Sequence, residues 1–324
     1  GIPRIDFSDD ANGALLLEAT ATNLFTYSEL FSNASWQKSQ ATLTITNEIS
    51  PNGTTNNVYN YVGYNSNLYT TSQASGAEYT ISFYVKSNGQ GADGFKLRLG
   101  SGHSASLSAT SEWVRHTFTA TPATNVFSIA SDGVGDVNIL VWGAQLEQKS
   151  YATSYIPTQG GVVTRTVEYS KILNQPILKA TNKFTMFFDA PKFLEVNGGV
   201  GDFDNVMLNL GASESAYDSG GGLHIYNKVW YYFSGSVATN IGICYNSLTD
   251  SKFAISYDGT SFHRYANGVK IGSIALSASM VNWDTFQTGG MNDAQLDERS
   301  WNLKNLKLYN TALSDSELAI LTTI

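Results

Sequence analysis

The sequence predicts an all-β chain of two jelly-roll β-sandwich domains in tandem, ending in one short helix. Short runs of alternating polar and apolar residues recur along the chain, and turns rich in Gly, Asn, Asp and Ser separate them. The length of 324 residues suits two domains of about 150 residues each. Near the C-terminus, Ser314 with Glu317 three residues later forms a capping box, which predicts the start of a helix.

The composition favours a polar but weakly charged surface. Hydrophobic residues make up 42% of the chain, enough for two cores, whereas charged residues make up 14%, against roughly 25% in average soluble proteins. Asn, Ser, Thr and Gly take their place, which suits a hydroxyl-rich partner or tight assembly. The net charge is -8, and the 19 Lys and Arg residues are scattered along the chain. The sequence therefore has no basic cluster that could bind a phosphate backbone, and no nucleic-acid partner is expected. No run approaches the ~20 apolar residues of a membrane span, so no membrane insertion is expected.

Residues 1–20 are predicted to be an extended segment, whose short apolar strand at 14–18 packs either against a neighbouring chain or on the first sandwich. The first sandwich is placed at residues 21–165. Its clearest strand, residues 79–85, has one apolar face made of Tyr79, Ile81, Phe83 and Val85. Further strands are predicted at 95–99, 113–120, 126–130 and 137–142.

The first sandwich is expected to close over residues 137–165. A buried strand ends on Trp142, and Gly143 with its neighbour turns the chain. Pro157 stops the last strand, because proline cannot donate a hydrogen bond to a ladder. Gly160 and the glycine after it loosen the chain before the second unit.

Several motifs resemble a module that recurs in bacteriophage tail-fibre and other virion-surface proteins. The closing motifs are WGAQLE at 142–147, YATSYIPT at 151–158 and TR at 164–165. The opening motifs are PRID at 3–6, GALLLE at 13–18, TNL at 22–24 and YSE at 27–29, followed by Trp36. The resemblance implies a carbohydrate-binding-module-like sandwich that attaches to host-surface carbohydrate as part of a homotrimer. Because the chain begins at Gly1 without a methionine, we expect either a fragment of a longer protein or a processed chain.

Residues 56–69 are unusually rich in tyrosine and asparagine. A pyranose presents C–H groups to an aromatic ring and hydroxyls to amides, so this stretch predicts a sugar-facing surface with Tyr59, Tyr61 and Tyr64 as contacts. Alternatively, Tyr59 and Tyr61 share one strand face and line the core. Trp36 is expected to be structural.

Residues 166–180 have few strand signals, and we place a linker there. The second sandwich is placed at residues 181–324. Asn267-Gly268 predicts a type I′ hairpin turn, which needs positive φ at both central residues. The motifs ISYDG at 255–259, RYANGV at 264–269, WNLKNLKLYN at 301–310 and TALSDSEL at 311–318 resemble the laminin-G or concanavalin A-like sandwich. This resemblance implies a closing strand, a turn and a short helix.

A hairpin over residues 223–233 is the second candidate sugar site. A two-residue turn at 227–228 would pair Tyr226 with Val229, Ile225 with Trp230 and His224 with Tyr231. The core face would carry Leu223, Ile225, Trp230 and Tyr232, and the opposite face would offer a glycan-binding groove lined by His224, Tyr226 and Tyr231. A register slip of one residue would reverse the two faces.

No cofactor is required by this prediction, and calcium is the one candidate. Both sandwich families often hold this hard cation, which takes carboxylate and backbone oxygens. Candidate ligands lie in acidic, glycine-rich turns: Asp132 and Asp136, Asp202 and Asp204, and Asp218. None has the spacing of an EF-hand, and such turns also arise for conformational reasons. The single cysteine, Cys244, cannot form an internal disulfide and is expected to be buried.

Catalysis is the competing class, because such sandwiches resemble those of glycosidases and polysaccharide lyases. The ExDxxE motif of those glycosidases and the QIH motif of alginate-type lyases are absent, although His224, Tyr226 and Tyr231 would suit lyase chemistry. The four histidines supply no triad, since no GxSxG elbow occurs. We therefore expect a non-enzymatic module on the virion surface, in a tail fibre or capsid decoration, with host glycan and other virion proteins as partners. A structural decoration for trimer packing and a depolymerase are the alternatives.

Overall fold

The computed structural model describes residues 4–6, 11–55, 57–71, 76–166, 168–172, 182–190, 192–194, 206–211, 222–226, 229–234, 237–243, 251–277, 285–289 and 300–323. The chain forms two compact units. The N-terminal sandwich is Ala21–Arg165, and the C-terminal sandwich combines Gly1–Thr20 with Thr166–Ile324. The described structure is almost entirely β, which confirms the predicted class. No helix in the described ranges has the length and apolarity needed to cross a membrane.

The strands follow one another closely along the chain. The first fifteen are β1 Arg4–Asp6, β2 Ala14–Leu17, β3 Ala21–Asn23, β4 Gln37–Ser39, β5 Thr42–Thr46, β6 Val58–Gly63, β7 Asn67–Thr71, β8 Tyr79–Ser87, β9 Gly94–Leu99, β10 Gly102–His103, β11 Leu107–Ser108, β12 Val114–Ala120, β13 Val126–Ser131, β14 Val137–Glu147 and β15 Val163–Arg165. The remainder are β16 Tyr169–Ile172, β17 Phe184–Asp189, β18 Lys192–Leu194, β19 Val206–Gly211, β20 Gly222–Tyr226, β21 Val229–Ser234, β22 Val237–Ile243, β23 Lys252–Tyr257, β24 Ser261–Ala266, β25 Val269–Ala275, β26 Thr285–Gly289, β27 Ser300–Leu303 and β28 Asn305–Tyr309, followed by α1 Asp315–Leu321.

Two antiparallel sheets make the N-terminal sandwich. One has the strand order β12-β8-β14-β6-β5, and the other has the order β10-β9-β13-β7-β4, with β11 also pairing with β9. The predicted apolar face of β8 is confirmed, because its members are at most 5% exposed in the core between the sheets. The opposite face of β8 is also covered, since Thr80 and Ser82 are each 1% exposed.

The end of β14 differs from the prediction. The strand does not stop at Trp142 but continues to Glu147, with a register shift between Trp142 and Gln145. Gly143 adopts a φ of 63°, a left-handed conformation that glycine reaches without a Cβ clash, and it therefore permits a bulge where a turn was expected.

A buried hydrogen-bond network joins the first and last motifs of the N-terminal sandwich. Asn23 is fully buried, and its Nδ2 donates to the carbonyls of Ala144 (3.1 Å) and Ile156 (2.8 Å). Its Oδ1 accepts from the amides of Phe25 and Leu146, both at 3.1 Å. The motifs that carry the family resemblance are therefore also the ones that hold this sandwich closed.

Three antiparallel sheets make the C-terminal sandwich. Their strand orders are β16-β26-β19-β20-β21-β22, β25-β24-β23-β17-β28 and β1-β2-β27-β18. The N-terminal segment is thus part of this unit, since β2 pairs with β27 and places Leu17 opposite Trp301. Within residues 166–180, β16 pairs with β26 where a linker was expected. The chain leaves the C-terminal sandwich after Thr20 and returns to it at Thr166.

An ion-pair cluster ties the segments on either side of the inserted N-terminal sandwich. The Arg4 guanidinium donates from Nε to Glu168 Oε1 at 2.8 Å and lies 2.6 Å from Glu18 Oε2. The Glu168 amide donates to the Glu18 carbonyl at 2.9 Å. Just beyond these residues, β3 pairs with β15, which places Ala21 opposite Arg165.

The hairpin of β20 and β21 has the predicted register. Tyr226 lies opposite Val229 and His224 lies opposite Tyr231. The predicted core face is also confirmed, because its four members are at most 6% exposed: Leu223, Ile225, Trp230 and Tyr232. A two-residue turn fixes the register of a hairpin, and the apolar pattern fixes which face is buried.

The ends of the C-terminal sandwich follow the sequence signals. Asn267 (φ 44°) and Gly268 (φ 79°) form the predicted turn with positive φ at both positions. The capping box is confirmed, since the Ser314 side chain accepts from the Glu317 amide and the Glu317 carboxylate accepts from the Ser314 amide. Leu318, on the apolar side of α1, is fully buried.

A buried arginine links the two larger sheets of the C-terminal sandwich. Arg264 on β24 is 8% exposed and pairs with the core residue Ile255, so it shares the inward face of its sheet. Its Nη1 donates to the Ile243 carbonyl on β22 at 2.6 Å. An ideal Cβ added to Gly242 or Gly272 would lie 2.3 Å or 2.6 Å from a guanidinium nitrogen, so both glycines make room for this side chain.

Candidate functional site

Two of the motifs that carry the resemblance run side by side in the N-terminal sandwich. Tyr27 forms an isolated antiparallel bridge with Gln159. The Ser28 amide donates to the Thr158 carbonyl at 3.2 Å, and the Thr158 amide donates to Ser28 Oγ at 2.8 Å. These bonds fix the segment after Tyr27 against the segment around Pro157, although about 130 residues of chain separate them.

A cleft of about 410 Å³ opens where these segments meet residue 57. Its lining residues, which define the Glu29 cleft, are Glu29, Leu30, Asn57, Pro157, Thr158 and Gln159. Leu30 is 39% exposed, and Pro157 and Gln159 are also exposed. The cleft therefore combines an apolar wall with a carboxylate, two amides and a hydroxyl, the mixture typical of small polar ligand sites.

The carboxylate of Glu29 is held in place from two sides. Asn57 Nδ2 donates to Oε2 at 2.9 Å, and the Tyr155 hydroxyl lies 3.1 Å from Oε1. The same hydroxyl lies 2.7 Å from Ser28 Oγ. Burial raises the pKa of Tyr155 far above its ordinary range, so the phenol stays protonated at neutral pH and can act as a donor.

An aromatic cluster supports this side of the cleft. The Tyr155 ring lies 4.6 Å from the ring of the buried Trp142 and 6.1 Å from that of Tyr84, measured between centroids. Val58, next to Asn57 in the chain, is fully buried in the same cluster. Packing on both neighbours limits the motion of Tyr155 and Asn57, so the two donors that hold Glu29 are preorganised.

The structure separates the three tyrosines predicted on residues 56–69. Tyr59 is 2% exposed and Tyr61 is fully buried in the core between the sheets, so neither ring face can meet a sugar, and we remove both from the candidate site. They share the face of Val141 and Ile139, their partners on β14. Only Tyr64, in the turn after β6, is 50% exposed.

The hairpin of the C-terminal sandwich keeps its predicted pairing of His224 with Tyr231. Tyr231 is half-buried. The side chains of His224 and Tyr226, and the turn at 227–228, lie outside the described residues. The groove on this face therefore stays a prediction.

Of the two predicted calcium ligands in the described part of the chain, Asp132 already has a conformational use. Asp132 Oδ1 accepts from the Val134 amide at 2.9 Å, which stabilises the turn, and Asp136 is exposed. The residues of the chain that are described contain no group of three or more metal-ligating side chains. Asp202, Asp204, Asp218 and Cys244 lie outside those residues, and calcium binding stays a prediction.

Three polar side chains form a row on the C-terminal sandwich. His263 Nδ1 lies 2.8 Å from Ser273 Oγ, and Nε2 lies 3.1 Å from Asp258 Oδ2. These are the residue types of a catalytic triad, but an acyl-transfer centre also needs backbone donors at an oxyanion position. Ser273 lies in mid-strand on β25, the edge of its sheet, and Asp258 also accepts from the amides of Thr260 and Ser261. We assign the row to stabilising this turn and edge.

Sequence reasoning missed most of the Glu29 cleft, although it identified the segments that build it. Glu29 and Pro157 both belong to motifs of the family resemblance, and Asn57 belongs to the asparagine-rich stretch. The sequence contained one signal for this site: the motif with Glu29 and the motif with Pro157 stand at opposite ends of the same module. Their meeting requires the bridge between Tyr27 and Gln159, which the sequence does not encode locally.

Several solved structures are similar to parts of this chain at low sequence identity. The receptor-binding domain of botulinum neurotoxin type G is 13% identical, over 43% of this chain and 37% of that chain, with a TM-score of 0.33. Trypanosoma rangeli sialidase is 21% identical, over 43% and 22%, with a TM-score of 0.30. The CBM22-1-GH10 modules of Clostridium thermocellum xylanase 10B, complexed with xylohexaose, are 20% identical, over 43% and 30%, with a TM-score of 0.28.

This chain therefore spans less than half the length of each of these structures. The sequence matches no protein-family profile and no curated protein.

Proposed function

We propose that this chain is a non-enzymatic module of a bacteriophage virion-surface protein, in a tail fibre or capsid decoration, that binds host-surface carbohydrate. The observation that carries the proposal is the Glu29 cleft, because the motifs that resemble the phage module are the ones that build it. YSE supplies Glu29 and YATSYIPT supplies Pro157 and Thr158.

Carbohydrate suits the chemistry of this cleft. The Glu29 carboxylate accepts hydrogen bonds from sugar hydroxyls, and the exposed amide of Gln159 both donates and accepts. The Asn57 amide donates to Glu29 and to Thr54, so it orients the carboxylate rather than contacting the sugar. Leu30 and Pro157 offer an apolar surface to the C–H groups of the ring. A cleft of about 410 Å³ holds one or two sugar units and leaves the rest of a polysaccharide in solvent. Affinity per site is therefore low, and attachment comes from several copies acting together in a homotrimer.

The lining of the cleft also supports binding without cleavage. Hydrolysis of a glycoside needs two carboxyl groups, typically about 5 to 9.5 Å apart. Among the described residues that line the cleft, Glu29 is the one carboxylate. Each of its two oxygens accepts one hydrogen bond from a structural donor, and neither is set opposite a second acid among these residues.

The test is an array of purified bacterial surface polysaccharides, read in the same wells for retention of the protein and for release of shortened sugars. Gln159→Ala removes one hydrogen-bonding group from the cleft, and Asn57→Ala removes the donor that orients Glu29. Each is expected to weaken retention about two- to tenfold. Tyr231→Ala, in the other sandwich, is the matched control. Loss with Tyr231→Ala alone would move the site to the hairpin groove, and release of oligosaccharides would contradict the non-enzymatic proposal.

A second candidate function, trimer packing within the virion, is favoured by exposed apolar residues on two edge strands. On β22, Val237 is 64% exposed and Ile243 is 43% exposed, and on β25, Val269 is 59% exposed. Edge strands with such residues pair readily with another chain. Light scattering on the intact chain tests this function, because Val237→Asp with Val269→Asp should convert a trimer to monomers without changing the fold.

A further inference from the structure

We infer that the Glu29 cleft selects uncharged sugars that carry two neighbouring hydroxyl groups and rejects uronic acids and other anionic sugars. This inference rests on the proposed function and assigns its class of ligand. It comes from the hydrogen-bonding state of one carboxylate and from the charges around it.

The Glu29 carboxylate can still accept hydrogen bonds from a ligand. An ionised carboxylate offers about four lone-pair sites, two on each oxygen. Asn57 Nδ2 uses one site on Oε2, and the Tyr155 hydroxyl uses one on Oε1. One acceptor site therefore remains on each oxygen, at the wall of the cleft. Two adjacent hydroxyls of a pyranose can donate to these two sites together, which is a bidentate arrangement.

This carboxylate is already oriented before a ligand arrives. Tyr155 packs against Trp142, and the Asn57 amide holds the other oxygen. A ligand therefore does not have to order the Glu29 side chain, which would otherwise cost binding free energy. Because the fixed geometry presents two acceptors, it favours a pair of hydroxyl donors over a single one.

The described side chains around Glu29 provide no positive charge that would favour an anionic sugar. Within the part of the chain that the structure describes, no lysine or arginine lines the cleft. The positive group that acts on Tyr155 is Arg115, whose guanidinium donates to the Thr153 carbonyl and to Ser82 Oγ and lies 5.5 Å from the Tyr84 ring centroid. The donor groups of Arg115 are therefore used within the sandwich and do not reach a ligand in the cleft. A uronate bound at Glu29 would place two negative charges close together without a cation between them.

The apolar wall sets the orientation of the ring. Leu30 is 39% exposed and Pro157 is exposed, so the C–H face of a sugar can cover both. With that face on the wall, the ring's edge hydroxyls point to Glu29 and to the amide of Gln159. In this orientation, the carboxylate of a uronic acid at the same edge of the ring would face the Glu29 carboxylate. The two negative charges therefore repel each other in the orientation that Leu30 and Pro157 favour.

The experiment compares matched sugars on the intact chain. Biotinylated oligosaccharides of glucose, galactose and mannose, and the uronic acid counterpart of each, are immobilised at equal density at pH 7. Binding of the neutral member is expected to be at least about tenfold tighter than that of its uronate, from the repulsion of like charges at contact distance. The ratio should shrink several-fold in Glu29→Gln, which keeps the shape and removes the charge. Glu112→Gln, an exposed acid in the same sandwich, is the control and should leave the ratio unchanged.

The outcomes separate this inference from the proposed function. Equal or tighter binding of uronates by the unmodified chain would overturn the selectivity and leave carbohydrate binding intact. An unchanged ratio in a folded Glu29→Gln, checked by circular dichroism, would show that the selectivity does not come from this carboxylate and would also overturn the inference. No binding to any sugar would refute both.

Discussion

Replacing Asn23 by alanine is expected to destabilise the N-terminal sandwich selectively. This side chain is fully buried and makes four hydrogen bonds to backbone groups, two as donor and two as acceptor. Its partners lie at the beginning of the sandwich, at the bulge of β14 and at residue 156. Alanine leaves these backbone groups in a buried site that the short side chain can no longer satisfy.

The expected loss of stability follows from the number of hydrogen bonds that Asn23 makes. At roughly 1 kcal/mol of net stability per hydrogen bond, loss of the four bonds made by Asn23 costs about 4 kcal/mol. For a unit of this size, each kcal/mol lowers Tm by roughly 2 to 4 °C, so a shift of roughly 8 to 16 °C is expected. The two sandwiches have separate cores, and differential scanning calorimetry of the intact chain should show the shift in one transition only.

Asn33→Ala is the matched control. Asn33 is half-buried, and its Oδ1 accepts one described bond, from the Ser35 amide at 2.9 Å. Its loss should cost under about 1 kcal/mol. If Asn23→Ala shifts the transition by less than about 3 °C, the network does not hold the sandwich closed and the reasoning is refuted.

Three further changes have expected outcomes. Gly272→Ala would put a Cβ 2.6 Å from Arg264 Nη2, so the C-terminal transition in calorimetry should lose about 1 to 3 kcal/mol, and an unchanged transition would contradict the close approach. Burial raises the pKa of Tyr61 to about 12, against the lowering effect of its bond to Ser66. Because the folded pKa is above the unfolded one, stability is complete below pH ~10 and falls by up to about 3 kcal/mol as the pH rises toward 12. Tyr61→Phe should reduce the alkaline loss in urea titrations by this amount and leave the part that comes from Tyr155, whose pKa is also raised by burial. A loss of unchanged size would show that it does not come from Tyr61. Ser314→Ala removes the helix cap and should cost about 1 kcal/mol, seen as faster amide exchange in α1. Unaltered exchange there would show that the cap is dispensable.

The features that the sequence predicts well are local ones. The pairing of His224 with Tyr231 follows from a two-residue turn, and the positive φ at Asn267 follows from the chemistry of an Asn-Gly pair. The capping box around Ser314 needs only residues three apart. In each case the deciding interaction joins residues close in the chain, so no knowledge of the tertiary fold is required.

The features that the sequence does not predict depend on contacts between distant segments. Tyr59 and Tyr61 alternate with Val58, Asn60 and Val62, so both faces of the strand contain apolar residues and the pattern alone leaves open which face meets the core. Pairing with β14, where Tyr59 lies opposite Val141, decides it. Glu29 and Asn57 meet across 28 positions, and the Tyr155 hydroxyl reaches Glu29 across 126. The density of aromatic residues therefore pointed to Tyr59 and Tyr61, which are core residues. The cleft is instead lined by a carboxylate, two amides and a proline.

The insertion of one sandwich into the other sets an order for events on the ribosome. Residues 21–165 emerge as one continuous stretch and can fold as soon as they are outside the exit tunnel. By contrast, β2 is made first but pairs with Trp301 and its neighbours on β27, roughly 280 residues later. At 5 to 20 residues per second, the apolar strand with Leu17 waits roughly 15 to 60 s for its partner. The Glu29 cleft is therefore completed earlier in translation than the C-terminal sandwich, which has to wait for β27.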